Sequence, residues 1–131
     1  MGNKIKLTIL SALIAIIAVS FSLERIKITK EKNDWKKLTL CLCLYEYIPL
    51  NDSIRRLDGS LAAYIQTNSL FGIDDLDKTR IFVSKYLNSI KIKSKTNRSL
   101  TIMKCIELYE SEELDDFVDS LANTALQPTN E

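Results

Sequence analysis

The sequence predicts an all-α fold: a compact bundle of about five short helices behind an N-terminal signal peptide. Three observations carry that prediction. Gly and Pro are scarce, three and two in 131 residues, while Leu, Ile, Lys, Glu and Asp are abundant, a balance that favours helices over strands and turns. Apolar residues recur at spacings of three and four along most of the chain. No Asn-Gly or Asp-Gly turn joins two alternating runs, because Asp58-Gly59 lies inside a helical pattern. With 46% hydrophobic and 27% charged residues the chain is neither disordered nor repetitive, and its length suits one domain.

The first segment reads as an address. Lys4 and Lys6 precede an uncharged apolar run from Leu7 to Leu23, and small residues follow at Ala18, Ser20 and Ser22. A basic start, a short apolar run and a small-residue exit describe a secretory signal peptide over residues 1–22, cleaved after Ser20 or Ser22. The competing reading is an uncleaved anchor through residues 7–23, although the run falls short of the roughly 20 residues that a span requires. Either way, residues 23–131 form a domain outside the cytoplasm.

Within that domain, Leu23 to Lys32 are polar and charged, a lead-in without a clear pattern. A first helix is expected from Asp34 to Tyr47, with Asn33 as its cap and Pro49 ending it. Its stretch from Leu40 to Leu44 is apolar on all sides, which suits a central helix. A second helix starts near Asn51, Asp52 or Ser53 and places Ile54, Leu57, Leu61, Tyr64 and Ile65 on one face. Gly59 in its middle weakens it by about 1 kcal/mol relative to Ala. Gly72 and Asp74 mark the start of a third helix, whose acids at Asp75 and Asp77 suit the helix dipole. Its buried face is read as Leu76, Val83, Tyr86, Leu87 and Ile90.

From Asn88 to Arg98 the character changes to a basic loop with Lys91, Lys93, Lys95 and Arg98. On pattern alone, a run of this kind is a solvated surface. The fourth helix, Ser99 to Tyr109, is the most apolar of the domain and is therefore expected in the core. Ser111 caps a last helix, with Glu112 and Glu113 in its first turn and a stripe of Leu114, Phe117, Val118 and Leu121. The tail from Gln127 is expected to be loose.

Several function classes are excluded. The chain has no histidine, which removes His-based acid–base catalysis, Ser–His or Cys–His nucleophile pairs and His-ligated metals. Gly-rich phosphate loops, CxxC pairs and zinc spacings are missing too. Without residues 1–22 there are 16 basic and 17 acidic residues, so no overall basic footprint favours nucleic acid. The acids from Glu110 to Asp119 surround a helix start and line a polar face, the pattern of a solvated amphipathic helix. The aromatic residues fall mostly on apolar faces and read as core. We expect neither a cofactor nor a metal, and no catalytic residue.

Export directs the reading of the cysteines, because an oxidising compartment favours disulfides. Cys41 and Cys43 lie two apart on one helix and point away from each other, so one of them pairs with Cys105 or neither does. A Cys43–Cys105 bridge, for instance, would close a loop worth about 4 kcal/mol in the chain-entropy model.

The segment Met103-Lys104-Cys105-Ile106-Glu107-Leu108-Tyr109-Glu110-Ser111-Glu112-Glu113-Leu114-Asp115 goes further. It resembles the KCLDLYxSxELD signature of the type VI secretion amidase immunity proteins, the Tai and Rap immunity families (Tai type four). Cys43 before Leu44-Tyr45-Glu46-Tyr47, the small residues Gly59, Ser60, Ala62 and Ala63 before Tyr64, and Lys85-Tyr86-Leu87 fall in similar places. The likeness spans about Trp35 to Leu121, and the Cys105 segment is its specific part.

That resemblance implies a helical periplasmic protein, homodimeric in the family, that neutralises a peptidoglycan amidase delivered by neighbouring cells. The family's target is a papain-like Cys–His enzyme, blocked when an exposed loop enters its substrate groove. It also implies a disulfide between Cys43 and Cys105 and an inhibitory loop at Ser89 to Ser99. Here that loop is shorter than in the relatives and rich in lysine, and Lys91, Lys93, Lys95, Asn97 and Arg98 are its candidate toxin contacts. Two other readings compete: an exported helical protein-binding or structural domain, and an enzyme working with carboxylates such as Glu112 and Glu113 alone.

Overall fold

The computed structural model describes residues 2–48, 59–92 and 100–127. Five helices order the described chain: α1 (Gly2–Tyr47), α2 (Ser60–Thr67), α3 (Ile73–Ser89), α4 (Thr101–Glu110) and α5 (Glu112–Ala125). No strand occurs among the described residues. The all-α expectation therefore stands, although α1 is 46 residues long rather than short.

The chain divides into two compact units, residues 1–30 and 31–131. In the first unit the apolar side chains have no common face to bury. Leu13, Ile14, Ile16, Ile17, Val19, Phe21, Leu23 and Ile26 are all exposed. Ser20 and Ser22 donate their hydroxyls to the carbonyls of Ile16 and Ala18 one turn earlier, at 2.9 Å each, so both are satisfied by the helix itself. Among the described residues, no helix is long and apolar enough to cross a membrane.

The second unit holds the core. On α1 the buried positions are Glu31, Trp35, Leu38, Thr39, Leu42 and Cys43, a single stripe at helical spacing. This corrects the expectation of a patternless lead-in before Asp34: the stripe begins at Glu31. Its first member is a charge, which hides the pattern from a hydrophobicity reading. Glu31 is buried because its carboxylate accepts hydrogen bonds from the Ser69 hydroxyl (2.6 Å) and the Ser69 N–H (3.2 Å). Its carbonyl accepts from Asn68 Nδ2 at 3.0 Å, and Asn68 Oδ1 accepts the N–H groups of Leu70 and Phe71. One buried acid thus fixes the turn between α2 and α3 against α1.

Trp35 anchors the centre. Its ring lies 4.7 Å from that of Phe71, and its Nε1 donates to Thr79 Oγ1 at 3.1 Å. Thr79 in turn donates to the Asp75 carbonyl at 2.7 Å, so the buried hydroxyl is satisfied. Trp35 shares one core with Leu38, Leu42, Leu76, Val83, Leu87, Leu114, Val118 and Leu121, and Phe82 stacks on Phe117 at 4.2 Å. Ion pairs flank this packing: Lys36 reaches Asp115 at 2.5 Å, Lys32 meets Asp119, and Arg80 meets Glu46 at 2.9 Å.

The second expected helix is seen in its later part. Its start at Asn51–Ser53, with Ile54 and Leu57, lies outside the described residues. Leu61, Tyr64 and Ile65 pack half-buried on the core as the spacing predicts. Gly59 is not in mid-helix but immediately precedes α2, and a side chain there would meet nothing within 4 Å. No close helix contact explains this glycine. For α3, Gly72 has no side chain to cap with, and the Asp75 carboxylate reaches back to its N–H at 3.0 Å. Burial pushes the Asp75 carboxyl up, but Lys78 and the Gly72 N–H together hold it below its ordinary value.

The disulfide joins Cys43 of α1 to Cys105 of α4, 62 residues apart, and both cysteines are fully buried. Cys41 is half-buried.

Candidate functional site

The basic segment between α3 and α4 starts and ends on fixed helices. On the α3 side, Leu87 is buried, and the Ser89 hydroxyl donates to the Tyr86 carbonyl at 2.7 Å. The Ile90 N–H closes the last turn onto that same carbonyl at 3.2 Å. Lys104 of α4 brings its ammonium to the Leu87 carbonyl at 3.5 Å, placing a cation at the negative end of α3. On the α4 side, Leu100 precedes the helix and accepts from the Lys104 N–H at 2.9 Å. Five residues beyond Leu100, Cys105 is tied to α1. Tyr86 completes the stem by donating its hydroxyl to the Glu107 carbonyl at 3.4 Å. The helix ends on either side of the segment are therefore bonded to each other.

Of the candidate contact residues, Lys91 follows directly on the Ile90 cap and is exposed. Lys93, Lys95, Asn97 and Arg98 lie outside the described residues. The two cysteines that the resemblance singled out come together as expected.

The fourth helix departs from its sequence reading. Read as core because it is the most apolar helix of the domain, it buries only Cys105 and Leu108. Ile102, Met103 and Ile106 stay 58%, 47% and 46% exposed. They line an open apolar groove of about 490 Å³ together with Ile48, Leu100, Thr101 and Glu107. Its apolar residues, Ile102, Met103, Cys105, Ile106 and Leu108, are spread around the helix rather than gathered on one face, so sequence reasoning missed this surface. The groove adjoins the stem of the basic segment, because Leu100 belongs to both.

Pronounced electrostatic perturbations sit at surface ion pairs. The hydrogen bond from Lys37 to Asp34 raises the Lys37 ammonium, as the one from Lys78 to Asp75 raises Lys78. Arg80 is raised by its hydrogen bond to Glu46, against the opposing effect of burial and with help from Asp77. None of these residues lines the groove. Glu112 and Glu113 are exposed in the first turn of α5. Among the described residues, no group of three His, Cys, Asp or Glu side chains is placed to hold a metal ion. The geometry suits presentation of a surface to another macromolecule.

Comparison with known proteins agrees with that description. A family model described as "Type VI secretion system (T6SS), amidase immunity protein" matches residues 33–118. No curated protein and no solved structure matches the chain.

Proposed function

The chain belongs to the type VI secretion system amidase immunity proteins, and we propose that it acts in the periplasm by occluding the active site of a cognate peptidoglycan amidase. Its family makes it an immunity protein and not an enzyme. The finer reading assigns residues 1–22 to a signal peptide and residues 23–131 to the inhibitory domain. The target is a papain-like Cys–His enzyme, and the contact is made by the segment from Ser89 to Ser99.

The observation that carries the reading is that the helix ends flanking that segment are bonded to each other. Fixing the two stems lowers the conformational entropy that the segment loses on entering a groove, so more of its contact energy appears as affinity. The lysines and Arg98 would steer the encounter with an acidic groove and set specificity more than raw affinity. A buried disulfide supports the compartment, since such bonds persist under oxidising conditions.

The test is protection. Cells producing a periplasmic amidase encoded beside this protein should survive when the full chain is co-expressed and lyse when residues 1–22 are deleted. Lysis despite a folded, exported protein would reject the immunity reading for that toxin. Reversing Lys91, Lys93, Lys95 and Arg98 to Glu should slow association at low salt by about tenfold or more. Unchanged binding would move the contact away from the loop. The exposed apolar face of α4 supports self-association as a homodimer, which sedimentation of the mature domain would detect.

A further inference from the structure

Helix α4 is tied to α3 by Tyr86 and Lys104, yet it buries fewer side chains than the other core helices. Both α3 and α5 insert four buried side chains, whereas α4 inserts two, Cys105 and Leu108. One of these two is the disulfide itself. Meanwhile α1, α3 and α5 hold one another through contacts that do not involve α4: Trp35 with Thr79, Lys36 with Asp115, Lys32 with Asp119, and Phe82 on Phe117. Both bridged cysteines are fully buried, so neither an oxidant nor a reductant touches the sulfurs while α4 is docked.

We propose that the Cys43–Cys105 bridge is a local redox latch on α4. The reduced chain keeps α1, α3 and α5 packed, while α4, left with Leu108 and its bonds to α3, opens more often than they do. Oxidation docks α4 and thereby fixes the C-terminal stem of the segment from Ser89 to Leu100. The consequence for toxin binding rests on the proposed function: tight binding is acquired only after transfer to an oxidising compartment.

The step needs a disulfide-bearing oxidant, either a protein or an oxidised small thiol. In the open state one cysteine thiolate attacks the oxidant's disulfide, forming a mixed disulfide and releasing one thiolate of the oxidant. The second cysteine thiolate attacks the chain's own sulfur in that mixed disulfide and expels the remaining oxidant thiolate. Two electrons and two protons pass to the oxidant, which leaves as a dithiol or as two thiols. Docking of α4 then covers the new bond. The same burial makes reduction wait for α4 to open.

Amide hydrogen exchange on the full domain tests the latch without any toxin. It is measured on the oxidised protein and on the double variant Cys43→Ala/Cys105→Ala. The oxidised protein should protect Ile106–Glu110 to within about threefold of Val83–Leu87 and Val118–Ala122. In the variant the α4 amides should open at least about tenfold more than those of α3 and α5. Equal protection of all three helices in the variant would overturn the latch, and so would a variant with no protection anywhere. Either result would make the bridge a staple of the whole domain. A second measurement uses dithiothreitol on the native protein. Its reduction rate should level off at the α4 opening rate as reductant is raised, and a rate that keeps rising in proportion would also overturn the proposal. Failure of toxin protection with this exchange pattern intact would instead count against the immunity reading.

Discussion

Helices α4 and α5 are neighbours joined through Ser111, yet they are held by different physics. The more apolar of the two, α4, buries two side chains and leaves Ile102, Met103 and Ile106 in solvent. The more charged one, α5, buries Leu114, Val118, Leu121 and Ala122 on a clean stripe. Total hydrophobicity therefore does not decide which helix is core. Burial follows from whether the apolar residues share one face, because a helix can offer only one face to a given neighbour. What α4 lacks in buried surface is supplied by a covalent bond to α1.

The comparison can be sharpened by removing each kind of attachment. The largest effect is expected from Cys43→Ala/Cys105→Ala. Losing a bridge across 62 residues should lower the unfolding free energy by about 4 kcal/mol, measured by urea denaturation. Next come paired truncations of similar chemistry on the two helices. Leu114→Ala in α5 should cost about 3 kcal/mol, because its side chain is fully buried and leaves a cavity. Ile106→Ala in α4 should cost no more than about 0.5 kcal/mol, since nearly half of that side chain already meets water. Equal costs would erase the distinction between the two helices.

Ser111 serves both helices, which makes it a smaller but specific test. Its hydroxyl accepts from the Leu114 N–H at 3.2 Å and donates to the Leu108 carbonyl at 2.8 Å. Ser111→Ala should cost about 1 kcal/mol and should fray the start of α5, visible as faster amide exchange at Leu114.

A further effect concerns pH and lies at α3, remote from both. The Asp75 carboxyl is held below its ordinary value of 3.8. Its contribution is therefore fully present above that value and is lost as pH falls through the lower native one. Asp75→Asn should flatten the acid limb of the stability profile below about pH 4, by at most about 1 kcal/mol, because the paired Lys78 is exposed. A profile identical to that of the unchanged protein would remove Asp75 from the cap of α3.

Much of the fold was legible because local rules and the tertiary solution agree. The stripes of α3 and α5, the cap at Ser111 and the half-buried face of α2 all follow from spacing and from side-chain hydrogen-bonding capacity. The lead-in to α1 was not legible. Its first core residue is Glu31, and a carboxylate enters a core only where donors await it, here supplied by Ser69, 38 residues away. Of the candidate site, the position between α3 and α4 and the exposure of Lys91 could be read in advance. The apolar groove on α4 could not.

By itself, the sequence determined the helical class, the positions of most helices and the want of histidine chemistry. These depend on propensity, periodicity and residue type, which are local properties of the chain. Tertiary structure decided which face of α4 is covered and why Glu31 is buried. Each of these depends on the partner that arrives from a distant part of the chain, and no local pattern encodes that partner.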